Sequence, residues 1–298
     1  MHRTTTIICI GAMLWDVIGY SVARLEEGND VPGRISREPG GVALNVATAL
    51  ARLGLRPAIL SAVGRNAPGE LLLRAVERKG VDIGWVWREG GQNPDMYLAI
   101  ESPNGLFAAI ADTRGLEAAG AAILSPLRDG RLGSAQDPFV GTMVVDGNLN
   151  QSTISVIARD PAFGRASLRA VAASPDKAAR LWPLLTGGTT TFHLNLAEAE
   201  ALTGRSFRSA ARAAEAVVAL GAQRALVTDG ANLVADALRN DATLVQQPEA
   251  APIRRVTGAG DVFLAAHLAA ELAGAPRAEA LADASRAAAN HVAGAELT

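Results

Sequence analysis

The chain has 298 residues, 28 basic against 30 acidic side chains for a net charge of −2, and a hydrophobic fraction of 49%. That balance excludes nucleic-acid recognition through bulk charge, which needs a clustered basic face, and the apolar content excludes intrinsic disorder. No run reaches the ~18 apolar residues of a membrane span, and the one cysteine, Cys9, has no internal disulfide partner, so a soluble protein of the reducing cytoplasm is expected, with neither membrane nor nucleic acid as partner.

Residues 5–11 are a short β-branched run ending in Gly11, which predicts a buried strand. Over 41–53 the apolar residues Val42, Leu44, Val46, Ala49, Leu50 and Leu53 recur with helical spacing, and Gly54 supplies the stop. A second strand is expected at 58–63, then a helix opened by Pro68 and closed by Gly80. Strands at 142–145, 168–172, 190–194 and 224–228 should alternate with helices at 153–159, 176–185, 196–202 and 209–220. This alternation implies an α/β fold with a mainly parallel sheet, right-handed crossovers and helices on both faces. Two segments break the rhythm, 16–37 and 85–111. The second holds alternating stretches joined by Ser102-Pro103-Asn104-Gly105, a hairpin signal, so together they predict a small β-sheet lid inserted in a single domain over 1–298. The exposed strands of such a lid could pair with those of a second copy, giving a homodimer.

Several chemistries are excluded by residue type. Neither lysine, Lys79 or Lys177, follows a glycine, so there is no Walker A loop. The four histidines are scattered, without zinc-ligand spacing, and no Gly-x-Gly-x-x-Gly fingerprint is present.

Three loops remain as candidates. In Val256-Thr257-Gly258-Ala259-Gly260-Asp261 small residues precede an acid at the start of a long helix. Gly258, Ala259 and Gly260 would let backbone amides and the helix N-terminus form an anion hole, with Asp261 beside a bound phosphate; a plain helix cap is the alternative. The helix terminus should lower the Asp261 pKa, leaving a weak base that accepts a proton only as a phosphoryl group transfers. In Glu38-Pro39-Gly40-Gly41-Val42-Ala43-Leu44-Asn45 glycines again open a helix, with Asn45 one turn in, either for a polar ligand such as a sugar hydroxyl or as a tight helix entry. Asp16 follows the first strand, where α/β sheets bind ligands. In His193-Leu194-Asn195-Leu196-Ala197-Glu198, Asn195 and Glu198 could serve Mg²⁺ on a nucleotide through water, or could form a capping box.

Taken together, these loops resemble the ribokinase-like, or PfkB, family of carbohydrate and nucleoside kinases, across essentially the whole chain. Thr228-Asp229-Gly230 is similar to that family's nucleotide-binding turn. The resemblance implies a three-layer α/β sandwich with a small lid, ATP as phosphoryl donor, Mg²⁺, and a 5′-type hydroxyl as acceptor. It implies Asp261 as catalytic base and Gly258, Ala259 and Gly260 as the anion hole. Asp16, Gly40, Gly41 and Asn45 would bind the acceptor, while Asn195, Glu198, Thr228, Gly230 and Asn290 would serve Mg-ATP. Within the family the chain most resembles the pseudouridine kinases, through the contexts of Asp16, Pro32-Gly33-Arg34-Ile35, 60–64 and Ala109-Ile110-Ala111-Asp112. On that resemblance Asp112 would accept the free ring N1–H, and Asn148 and Lys177 would reach the substrate. Three positions depart from the pattern: Arg255 replaces an Asp of the monovalent-cation site, which counts against K⁺ activation; Leu233 replaces a glycine; and Val171-Ala172-Ala173-Ser174 replaces an Asp-Pro.

Overall fold

A computed structural model describes residues 6–26, 28–103 and 105–295; residue 5 of the first expected strand and Asn104 of the hairpin turn lie outside these. In chain order the strands are β1 (Ile7–Ile10), β2 (Leu14–Tyr20), β3 (Arg34–Gly40), β4 (Ala58–Leu60), β5 (Met96–Ser102), β6 (Gly105–Asp112), β7 (Thr142–Asp146), β8 (Ser167–Val171), β9 (Thr191–Asn195), β10 (Arg224–Thr228), β11 (Val234–Leu238) and β12 (Leu244–Gln246). The helices are α1 (Val42–Arg52), α2 (Ala67–Glu77), α3 (Arg114–Ala119), α4 (Gln151–Arg159), α5 (Pro175–Ala178), α6 (Leu196–Thr203), α7 (Ala210–Ala219), α8 (Ala259–Leu272) and α9 (Arg277–Val292). The expected helix at 176–185 is one α turn, α5, continued as a 3-10 segment to Leu185. Pro183 has no amide proton to give an α-helical ladder there.

The large sheet has the order β12-β11-β10-β9-β8-β7-β1-β4. It is parallel from β4 to β10, while β11 and β12 add an antiparallel edge that the sequence reading does not contain. Alternate residues of its strands feed two cores: Ile8 and Ile10 pack towards α4, α6 and α7, and Ile7 and Cys9 towards α1, α2 and α8. The result is the expected three-layer arrangement. Cys9 is wholly buried, and burial pushes its thiol far above the usual range, which leaves it inert.

The small sheet has the order β3-β2-β5-β6, so it takes two strands from each of the two predicted segments. Its second segment begins later than expected. Residues 85–95 belong to the body, because the Trp87 amide donates to the Ser61 carbonyl at 2.8 Å and the Val63 amide to the Trp87 carbonyl at 2.9 Å. Strand alternation gives the lid two unlike faces. Asp16, Ile18 and Tyr97 face the body's cavity, whereas Leu98, Ile100 and Ile110 are exposed.

Candidate active site

Strands β7 to β10 end in Asp146, Val171, Asn195 and Thr228, all on one rim of the large sheet. Between that rim and the lid lies a cavity of about 730 Å³. A crevice at the carboxyl ends of parallel strands is where open α/β sheets bind ligands.

The first turn of α8 forms one wall. Gly258, its N-cap, has φ +85°, a left-handed conformation that strains other residues, and it turns the chain into the helix. The Ala259 amide is taken by the Val256 carbonyl at 3.1 Å. Among the described residues no backbone carbonyl accepts from the amides of Gly258, Gly260 or Asp261, so these three are free donors at the start of the helix, where the Ala259 amide is not. His291 at the end of α9 holds the loop from behind, its Nε2 lying 2.9 Å from the Thr257 carbonyl oxygen.

Asp261 is 8% exposed and lines the cavity. Asn45 Nδ2, one turn into α1, donates to Asp261 Oδ2 at 2.9 Å, so the two sequence motifs converge on one carboxylate. The expected lowering of its pKa is corrected. Burial, reinforced by the charges of Asp146, Glu198 and Asp16 against the Asn45 hydrogen bond, pushes it up from 3.8 to about 8. Desolvation of the whole carboxyl outweighs the partial charge of one helix end.

The lid and α1 build one side of the cavity. Asp16 on β2 lines the cavity, and burial raises its pKa to about 6 against the lowering by Arg255. Gly40 does not line the cavity, yet a Cβ there would fall 1.9 Å from an Asp16 carboxylate oxygen; the residue is a glycine because β3 passes that close to the acid. Gly41 does line it. Asn148 and Lys177 are also in the wall, joined by a 2.7 Å hydrogen bond from Lys177 Nζ to Asn148 Oδ1. Burial, with Arg180 nearby, lowers the Lys177 pKa.

On the opposite side Asn195, Glu198, Thr228 and Gly230 line the cavity. Of the two readings of Asn195 and Glu198, the capping box is present: Asn195 Oδ1 accepts from the Glu198 amide at 2.9 Å, and Glu198 Oε2 from the Asn195 amide at 2.8 Å. That leaves Glu198 Oε1 without a capping role, and burial raises the carboxyl to about pKa 7. Among the described residues no cluster of three His, Cys, Asp or Glu could hold a metal directly. One carboxylate in a cavity that also holds free helix-terminal amides is a donor set that suits Mg²⁺ held through water and ligand oxygens, and does not suit an all-protein cage.

Two expected residues stand elsewhere. Asp112 pairs with Met96 at the end of β6, lies outside the cavity wall, and is gripped by Arg114, with Arg114 Nε 2.9 Å from Oδ1 and Nη2 2.7 Å from Oδ2. Its neighbours Ala111 and Thr113 line the cavity instead, as alternation along a strand requires. Asn290 on α9 lines a separate depression between α8 and α9. Of the departures, Arg255 lies exposed on the loop before Gly258, where its amide and that of Arg254 both donate to the Val292 carbonyl. Leu233 is exposed on a turn outside the cavity, and Val171 to Ser174 form part of its wall.

The sequence reading also passed over three residues. Tyr97 and Glu101 on β5 line the cavity from the lid. His193 lines its floor with both ring nitrogens unpartnered, its pKa held well below 6.5 by burial and by the neighbouring His267, Arg169 and Arg224. A histidine inside an apolar strand run, two residues before Asn195, was the available signal.

Comparison with known proteins agrees with this geometry. The chain is 35% identical over 113 residues to a pseudouridine kinase of Escherichia coli, a stretch covering 38% of this chain and 36% of that protein, so the match spans about a third of the curated relative. A solved carbohydrate kinase from Agrobacterium tumefaciens superposes with a TM-score of 0.79 at 27% identity, over 96% of this chain and 90% of that one. Arabidopsis thaliana ribokinase complexed with ribose and ATP gives 0.77 at 18% identity, over 97% and 93% of the two chains, a likeness of fold alone. Residues 4–295 match the pfkB family carbohydrate kinase domain. A match of that extent, on a lidded α/β fold whose cavity gathers the acid and the glycine loop, means that the chain belongs to the pfkB family of carbohydrate kinases.

Proposed function

We propose that this protein transfers the γ-phosphoryl group of ATP to the 5′-hydroxyl of pseudouridine. The observation that carries the reading is Asp261: a carboxylate in the first turn of α8, inside the cavity, oriented by Asn45 and adjoining the free amides of Gly258 and Gly260. The partial match to a pseudouridine kinase supports the acceptor.

In this reading the acceptor alcohol lies under the lid beside Asp16, and the triphosphate runs from Thr228 and Asn195 towards the anion hole. As the acceptor oxygen bonds to phosphorus, the bond from phosphorus to the ADP oxygen breaks and the hydroxyl proton passes to Asp261. A carboxylate titrating near 8 is a better matched base than an ordinary aspartate, because proton acceptance is most effective when the pKa lies near the working pH. The Gly258, Gly260 and Asp261 amides and the N-terminus of α8 stabilise charge on the transferring group without reorganising. Glu198 would hold Mg²⁺ through water; the ion supplies neutralisation of phosphate charge when bound. For the ring N1–H of pseudouridine, Glu101 takes the role expected of Asp112, since it lines the cavity from β5 and Asp112 does not.

The test is a side-by-side assay of pseudouridine, uridine, adenosine, ribose and fructose with ATP. Pseudouridine should have the highest kcat/KM, and rejection of uridine should reach up to ~10⁴ if the N1–H acceptor is left unpaired by it. Preference for ribose or another sugar would replace the acceptor and keep the phosphotransferase.

A further inference from the structure

The lid is joined to the body by four chain crossings: Ala12 entering β2, Gly41 leaving β3, Asp95 entering β5, and Thr113 leaving β6. Two buried carboxylates meet them. Asp146, fully buried at the end of β7, accepts at Oδ2 from the Ala12 amide at 2.8 Å and from the Ala43 amide at 3.3 Å. Its Oδ1 accepts from the Asn148 amide at 2.8 Å and from Asn148 Nδ2 at 3.0 Å. The first two crossings are thus tied to each other and to the rim of the large sheet through one side chain. Asp95, 8% exposed, stands at the third crossing and accepts from the amides just beyond the fourth, Gly115 at 2.8 Å and Leu116 at 2.9 Å. Its own carbonyl accepts from the Trp15 amide at 3.1 Å, which links the two pairs.

We propose that Asp146 and Asp95 are positioning residues of the lid, each fastening one pair of crossings and so fixing where Asp16, Asn45 and Tyr97 stand around the acceptor. Ala12 lies four residues before Asp16, and Ala43 two before Asn45, so a shift at the Asp146 clamp is carried to both sides of the acceptor pocket. Neither acid touches the reacting atoms in this arrangement. Each works through backbone amides, Asp146 also through the Asn148 side chain, and the placement of these donors is fixed only while all of them have an acceptor.

The proposal rests on reading the space under the lid as the acceptor site, and its test separates the two. In Asp146→Asn one carboxylate oxygen becomes an NH₂ group, so either the Ala12 and Ala43 amides or the Asn148 donors lose their acceptor. The KM for the acceptor should rise on the order of tenfold, the size of one charge-assisted hydrogen bond, with the KM for ATP within about twofold. Asp95→Asn should show the same split, and if one variant does not fold the other is the test. Amide hydrogen exchange supplies a readout independent of any substrate: β2 and β3 should exchange faster in Asp146→Asn, β5 and β6 in Asp95→Asn, with β8 to β10 unchanged. Equal rises in both KM values, faster exchange throughout the body, or no change in folded variants would overturn the proposal. So would free exchange of the Ala12 and Ala43 amides in the unmodified protein. Should that protein phosphorylate none of the alcohols, the functional reading fails, and the exchange experiment still decides this one.

Discussion

Helix α8 carries buried acid chemistry at both ends, and the two ends differ in sign. In the first turn Asp261 shares the cavity region with Asp16 and Glu198, and burial raises all three pKa values, to about 8, 6 and 7. In the last turn Glu271 meets Arg169 at 2.9 Å and also Arg224, which chelates Asp236 on β11 at 2.7 and 2.6 Å. Arg277 adds a third bond to Asp236 at 2.8 Å. Burial works against ionisation here too, yet the arginines hold Asp236 and Glu271 below the usual carboxylate range. Burial disfavours ionisation at both ends, and the charge of the neighbours decides which way each acid shifts. The arginine end pairs its acids with cations inside the fold and fixes α8 against the sheet. The glycine end keeps acids that repel one another, an arrangement that favours function over stability.

Removing the acid from the glycine end should have the largest effect. Asp261→Asn keeps an acceptor for Asn45 and loses the proton acceptor, so turnover should fall by about 10²–10⁴ with nucleoside binding retained. Stability should move the other way. With its pKa at about 8 instead of 3.8, folded Asp261 keeps a proton that the unfolded chain has released, so its contribution becomes unfavourable as pH rises from about 4 to 8. Thermal unfolding of Asp261→Asn should accordingly show a midpoint above that of the unmodified protein at pH 8 and no gain near pH 4. A lowered midpoint at pH 8 would erase the contrast between the two ends.

The matching change at the arginine end is Arg224→Met, which strips Asp236 of its chelating partner at a fully buried position. Deleting one member of a buried ion pair costs about 3–5 kcal/mol, which for a chain of this size lowers the melting midpoint by roughly 5–8 °C. The kcat/KM of the protein that remains folded should change little, because the cluster lies outside the cavity wall. Calorimetry and initial rates on the same sample read both quantities. A large kinetic effect at full stability would make the arginine end part of the site.

What the sequence disclosed divides along the range of the interactions. The glycine loop before α8 and the Asn195–Glu198 capping box are set by residues a few positions apart, so spacing marks them, whereas the turn at Thr228 came through resemblance. Convergence of Asn45 on Asp261, 216 residues away, could not be read from spacing, and the resemblance placed both in one site without pairing them. Asp146 and Asp95 were passed over because their partners lie as far as 134 and 21 residues off, and an acid at the end of an apolar run looks the same whether it caps, binds or clamps. Local context also misled at Asp261, where the helix terminus is visible in the sequence and the burial that outweighs it is not.

Asp112 shows the same limit at the scale of one residue, and its substitution should have the smallest effect. Its side chain is 39% exposed, the Arg114 guanidinium beside it holds its pKa down to about 2, and Ala111 and Thr113 take the inward positions. Exposed pairs of this kind contribute little, so Asp112→Asn should leave the melting midpoint within about 1 °C and kcat/KM for pseudouridine within about twofold. Discrimination against uridine should also persist, since the proposed acceptor, Glu101, lines the cavity and Asp112 does not. A marked loss of that discrimination would require β6 to slip by one residue against β5, because a one-residue slip is what turns every side chain of a strand to its opposite face. The irregularity between Ile100 and Glu101, where the pairing of β5 with β6 already shifts, is where such a slip would be absorbed.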